Sequence, residues 1–151
     1  MPLPVTWWWA RVLAMRTLHV GLRVSDLQRS LVFYQAVGYT VLGTVEGTVH
    51  GTLAMLQLPD DPFVTIELVH DPARDNAGPG TGISHLVIQV GSLDAAMAAL
   101  AANGIAAEPP GLPGGDHGAR TSWITDPDGY RIELVQWPAG HADGITKADF
   151  A

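Results

Sequence analysis

The chain is built as two copies of one pattern. Sliding the 151-residue sequence against itself by 66 positions puts His85 on His19 and Glu133 on Glu67, so both histidines stand 48 residues before their glutamate. Thr17 to Val24 falls on Ile83 to Val90, and Leu27, Leu31 and Tyr34 fall on Leu93, Met97 and Leu100. Gly38 meets Gly104, and residues 64–68 meet 130–134. Two similar halves fold as similar units, each too small to be stable alone, and they hide their apolar faces in a common core.

The pattern inside each half predicts what the unit is. Residues 18–24 alternate, with Val20, Leu22 and Val24 on one strand face and His19, Gly21 and Arg23 on the other. A helix begins at Ser25, where Ser-Asp-Leu-Gln offers a capping box. It carries Leu27, Leu31 and Tyr34 at i, i+4 and i+7 and ends near Gly38. In the second half Leu86, Ile88 and Val90 oppose His85, Val87 and Gln89. Ser92 then precedes a helix with Leu93, Met97 and Leu100, stopped by Asn103-Gly104. Three further strands are expected after each helix, at 39–45, 51–58 and 63–69, then at 105–108, 120–125 and 130–136. The fold class is therefore α+β, two tandem β-α-β-β-β modules at about 15–72 and 82–137. They make one domain over 15–137, with an extension at 1–14 and a tail at 138–151.

The last strand of each module separates its faces in the same way. Val64, Ile66 and Leu68 oppose Glu67, and Tyr130, Ile132 and Leu134 oppose Arg131 and Glu133. His19, Glu67, His85 and Glu133 thus lie opposite the aliphatic stripes, where a curved sheet can gather them. Taken singly, each is an ordinary polar residue on a half-exposed strand. Four in duplicated register point to a shared metal site. Two imidazoles and two carboxylates neutralise a divalent cation and leave two positions of a six-coordinate ion for water or substrate. A carboxylate that loosens from such an ion can serve as a base.

Composition narrows the partners. A formal net charge of −7 has the wrong sign for nucleic acid or an anionic membrane, so a small molecule is expected. There is no cysteine, so any metal takes nitrogen and oxygen ligands and no thiol nucleophile exists. Residues 1–14, with Trp7 to Trp9, lack a basic start and are too short and proline-broken to span a bilayer. They read as an extension or an alternative start before Met15, although tryptophan's preference for membrane interfaces keeps an anchor open. A cytoplasmic protein is expected.

Leu18 to Ser30 with Phe33-Tyr34, Ile66-Glu67-Leu68, His85, and Asp126-Pro127-Asp128-Gly129-Tyr130-Arg131-Ile132-Glu133-Leu134 resemble the vicinal oxygen chelate superfamily. Within it they resemble glyoxalase I (lactoylglutathione lyase) of the short bacterial type, over about Met15 to Trp137. The resemblance implies the glyoxalase/bleomycin resistance/dioxygenase fold and a homodimer. Its interface sites combine His19 and Glu67 of one chain with His85 and Glu133 of the other. Histidine at the first ligand position implies nickel or cobalt in preference to zinc. The implied reaction turns the hemithioacetal of a 2-oxoaldehyde such as methylglyoxal, formed with a low-molecular-weight thiol, into a 2-hydroxyacyl thioester. Glu133 chiefly moves the proton, and Glu67 is its counterpart. Arg23 matches an arginine that holds the glutathione carboxylate. Two positions depart from the family pattern: Asp71 stands where asparagine is expected, and Gly114-Gly115-Asp116-His117 occupies the loop that usually carries a lysine. A different thiol, or another oxygenated substrate, fits equally well.

Other functions stay open at this level. A non-enzymatic binder of a drug or natural product is one, with Trp123 the one tryptophan well inside the matched region. An acyl-CoA epimerase is another, while an extradiol dioxygenase would leave one ligand too many. His50, His70 and His141 read as surface residues, and His117 as part of a loop able to close over a substrate.

Overall fold

The computed structural model describes residues 14–74 and 76–151, so Trp7 to Trp9 and nearly all of the N-terminal extension lie outside the described residues. The first module comprises β1 (Val20–Arg23), α1 (Leu27–Val37), β2 (Thr40–Thr48), β3 (Gly51–Gln57) and β4 (Ile66–His70). The second comprises β5 (Leu86–Gln89), α2 (Leu93–Ala102), β6 (Arg120–Thr125) and β7 (Arg131–Gln136), followed by a 3₁₀ turn at Lys147–Phe150. The strands form two sheets, ordered β1-β4-β3-β2 and β5-β7-β6. In each, the module's first strand runs parallel to its last, and the remaining pairs are antiparallel.

The predicted stripes make the core except at Val20, which keeps 40% of its surface exposed at the edge strand. Leu22, Val24 and Leu68 are fully buried with Tyr34 of α1, and Ile132 and Leu134 are buried with Leu93 and Leu100 of α2. All belong to one apolar cluster that spans both modules. No helix among the described residues is long and apolar enough to cross a membrane.

Three local expectations are corrected. The cap of α1 is Asp26, whose carboxylate accepts the Arg29 N–H at 3.0 Å. Ser25 is drawn away, because its N–H donates to Asp128 and its hydroxyl oxygen accepts the Ala77 N–H at 3.0 Å. Residues 105–108 form no strand. The Glu108 N–H still donates to the Trp123 carbonyl at 2.9 Å, and an isolated bridge joins Gly111 to Thr121. Pro109 and Pro110 offer no N–H between those contacts, so the ladder cannot run through. The last strand of the first module starts at Ile66, with Val64 outside it.

Candidate functional site

Parallel pairing builds each histidine–glutamate contact. In the first sheet Gly21 is in register with Glu67, which places His19, just ahead of β1, beside the carboxylate. His19 Nε2 stands 2.9 Å from Glu67 Oε2. In the second sheet Val87 is in register with Glu133, and His85 Nε2 lies 3.5 Å from Glu133 Oε2. Both imidazoles keep about a third of their surface exposed, 33% and 35%, so each pair remains open to an incoming ligand.

His85 is held from its other side as well. Its Nδ1 lies 2.8 Å from Ser84 Oγ, and its ring meets Trp123 edge-on with centroids 5.1 Å apart. If Nδ1–H donates to that hydroxyl, Nε2 keeps its lone pair free for a metal, the arrangement that fixes ligand histidines elsewhere.

The two pairs sit on separate sheets, and among the described residues no three histidine or acidic side chains come close enough to hold an ion. Among the described residues one chain therefore presents two separate pairs, not the four side chains gathered around one point.

Arg23 shares the open face of β1 with His19. Its Nη1 is buried and has no hydrogen-bond partner among the described residues. An unsatisfied cationic donor is costly, and an anion arriving there would relieve that cost. Asp71 is occupied in its own turn, accepting the Ala73 N–H at 3.0 Å, with Arg74 at 3.8 Å. His117 is exposed in its loop, His50 lies in the tight turn before β3, and His70 ends β4 half-buried.

The Asp126–Tyr130 turn does a different job from the histidine–glutamate pairs beside it. Asp126 Oδ2 accepts the Tyr34 hydroxyl at 2.8 Å, while its Oδ1 accepts the N–H groups of Asp128 and Tyr130. Gly129 closes the turn at φ 93°, a conformation glycine adopts without strain. The Tyr130 hydroxyl donates to the Arg23 carbonyl at 2.8 Å, and Asp128 accepts from Ser25 and Arg29. The turn of the second module thus holds the end of β1 and the start of α1 in the first. Burial raises the Asp126 carboxyl above its ordinary range, although bonds from Tyr34, Tyr130 and Asp128 pull the other way. Burial, followed by the Asp126 charge, pushes the Tyr34 phenol up.

A family model, the Glyoxalase/Bleomycin resistance protein/Dioxygenase superfamily, matches residues 16–134. The chain belongs to this superfamily. Among its members, the lactoylglutathione lyase of Haemophilus influenzae is 36% identical over 127 residues, covering 81% of this chain and 93% of that protein. A glyoxalase I variant from Zea mays superposes with TM-score 0.70 at 28% identity, over 82% of this chain and 45% of that one. TnmS3, an antibiotic binding protein from Streptomyces sp. CB03234, superposes with TM-score 0.66 at 26% identity, over 83% and 98% of the two chains. The resemblance read from the residues and the two-module α+β architecture are both borne out.

Two features of this superfamily member escaped the sequence reading. His141, expected at the surface of a tail, stacks on Trp137 with centroids 4.5 Å apart and pairs with Asp149 at 2.7 Å. Gln89 clamps the same segment, donating to Asp143 and accepting from the Trp137 indole and the Gly144 N–H. Trp123 stands against His85, on the face that also carries Glu133, where period-two alternation with the buried Ile124 could have placed it. A cleft of about 860 Å³ opens between the modules along Val20, Ile66, Leu86 and Ile88, and none of His19, Glu67, His85 and Glu133 lies in its wall.

Proposed function

We propose that the protein is a metal-dependent isomerising lyase of the glyoxalase I kind. One observation carries this reading: the same histidine–glutamate contact is built twice, in the same register, on the open faces of two sheets. Two half-sets of two ligands call for a second copy, so the active unit is a homodimer. In it His19 and Glu67 of one chain face His85 and Glu133 of the other.

The likeness to glyoxalase I with histidine at the first ligand position favours nickel or cobalt over zinc, and the donor set suits such a divalent ion of borderline hardness. Two imidazole nitrogens and two carboxylates balance its charge, and Ser84 presets one imidazole. Such an ion, when bound, polarises the vicinal oxygens of the hemithioacetal and makes the adjacent C–H more acidic. Glu133 takes the proton from the carbon bearing sulfur and returns it to the neighbouring carbon, with Glu67 as its counterpart on the other side. Arg23 offers its unpartnered Nη1 to a carboxylate of the thiol. The product is a 2-hydroxyacyl thioester, and with methylglyoxal as the aldehyde the role is detoxification in the cytoplasm.

Elemental analysis of the full chain, prepared without a histidine tag beside a His85→Ala variant, tests the reading. Near-stoichiometric nickel or cobalt that is lost in the variant, with turnover of methylglyoxal hemithioacetals, is the expected result. No metal after reconstitution with either ion would sink it. A small-molecule binder would then come first, the reading supported by Trp123 against His85 and by the likeness to an antibiotic-binding protein.

A further inference from the structure

The open face of the second sheet carries a cation that the reaction above does not use. Arg131 and Glu133 flank the buried Ile132 on β7, so both point away from α2. Register sets Arg131 against Thr125 on β6, and Glu133 against Trp123. The Arg131 guanidinium lies 5.1 Å over the Trp123 ring, and the His85 ring meets that same indole at 5.1 Å. Trp123 is thus a floor shared by a proposed metal ligand and a cation.

Arg131 is anchored without being used up. Nη2 donates to Glu108 Oε2 at 2.6 Å and Nη1 to Thr125 Oγ1 at 3.0 Å. A guanidinium has five N–H groups, so three remain. Glu108 is half exposed, and solvent can receive it if another carboxylate takes its place. A cleft of about 360 Å³ adjoins this group, walled by Phe33, Ile105 and Pro127 along with Trp123, Glu108 and Arg131.

We infer that Trp123 and Arg131 form the subsite for the non-reacting arm of the thiol, and that they select a thiol whose arm ends in a carboxylate. The inference rests on the hemithioacetal chemistry proposed for His85 and Glu133. A planar guanidinium fixed on an aromatic ring presents a fork that matches a carboxylate, whereas a neutral arm gains only contact with the indole and the cleft wall. Glu108 tunes the selection, because its own carboxylate competes for the same cation. Arg23 lies on the other sheet, so Arg131 is a second and separate anion-binding group.

The test is calorimetric titration of the full chain, with and without nickel, using S-hexylglutathione and its diethyl ester, which lacks the carboxylate charges. The wild type is expected to prefer the free acid. Arg131→Met should reduce the acid-to-ester preference about tenfold, the loss of one charge-assisted hydrogen bond. Glu108→Gln should increase it by removing the competitor. The inference is overturned if neither variant changes the preference, if Arg131→Met weakens both ligands equally, or if the wild type binds neither. Turnover is not part of this readout. A chain that binds with the stated preference yet isomerises no hemithioacetal would overturn the lyase reading and leave the subsite standing.

Discussion

The Tyr34 hydroxyl donates to Asp126 Oδ2 at 2.8 Å across 92 residues of sequence, joining the helix of the first module to the turn of the second. Both groups are buried, so among the described residues this is the most sheltered polar tie between the halves. Tyr34→Phe removes the donor and leaves a buried carboxylate oxygen short of a partner. The expected cost is about 1–3 kcal/mol, read as a lower urea midpoint with an unchanged slope.

Asp126 also makes stability depend on pH in an uncommon direction for a carboxylate. Burial raises it, so the folded chain holds this proton more tightly than the unfolded one. Its contribution is complete below the ordinary carboxylate value and is lost as pH rises through the raised one. The difference in melting temperature between wild type and Asp126→Asn, followed from pH 3 upward, should shift against the wild type as pH rises through that window. A flat difference would refute the assignment.

Glu133→Gln keeps the shape of the side chain and removes its basicity. Turnover of hemithioacetals should fall by about 10²–10⁴-fold, while size-exclusion behaviour stays that of the wild type. An unchanged rate would take Glu133 out of the proton transfer.

Ser84→Ala leaves His85 in place but removes the hydroxyl at its Nδ1. Affinity for nickel, measured by competition with a chelator, should drop about 10–100-fold. Equal affinities would mean that Trp123 alone fixes the ring.

His141 should titrate above the ordinary imidazole value. The Ala142 carbonyl and then Asp149 both favour its protonated form, against a smaller effect of burial. Its charged clasp on Asp149 is therefore present above the lowered Asp149 value and is lost as pH rises through the raised His141 value. An NMR titration of the imidazole should show the shift shrink in Asp149→Asn.

Period-two alternation read most of the faces of β1, β4, β5 and β7, because burial on one side and polarity on the other are local facts about adjacent residues, but it missed that Val20 stays exposed and that Val69 and Val135, assigned to the open faces, are buried. The same logic placed His19, Glu67, His85 and Glu133 on the open faces. It could not tell that one chain keeps them as two pairs, since that depends on how the sheets sit relative to each other. The α1 cap was misplaced by one residue because Ser25 has better partners in Asp128 and Ala77, remote in sequence. Residues 105–108 looked extended, and they are held at Glu108, but Pro109-Pro110 ends the ladder. The order in 138–150 depends on Gln89, nearly fifty residues upstream of that segment, and no pattern within it announces the bond.

Each module lays its first-made strand beside its last-made one. Among the described residues β1 is an edge strand of the first sheet paired with β4 alone, and β5 stands in the same relation to β7. Parallel strands cannot close through a tight hairpin, so β1 stays without a partner until the chain has been synthesised through Ile66. During that interval α1 can already cover Leu22 and Val24, but β1 keeps free backbone groups beside the exposed Val20, the kind of edge that recruits other chains. A product that ends before Ile66 keeps its helix and its β2–β3 hairpin yet leaves β1 permanently unpaired, and aggregation of nascent fragments is the failure this topology invites.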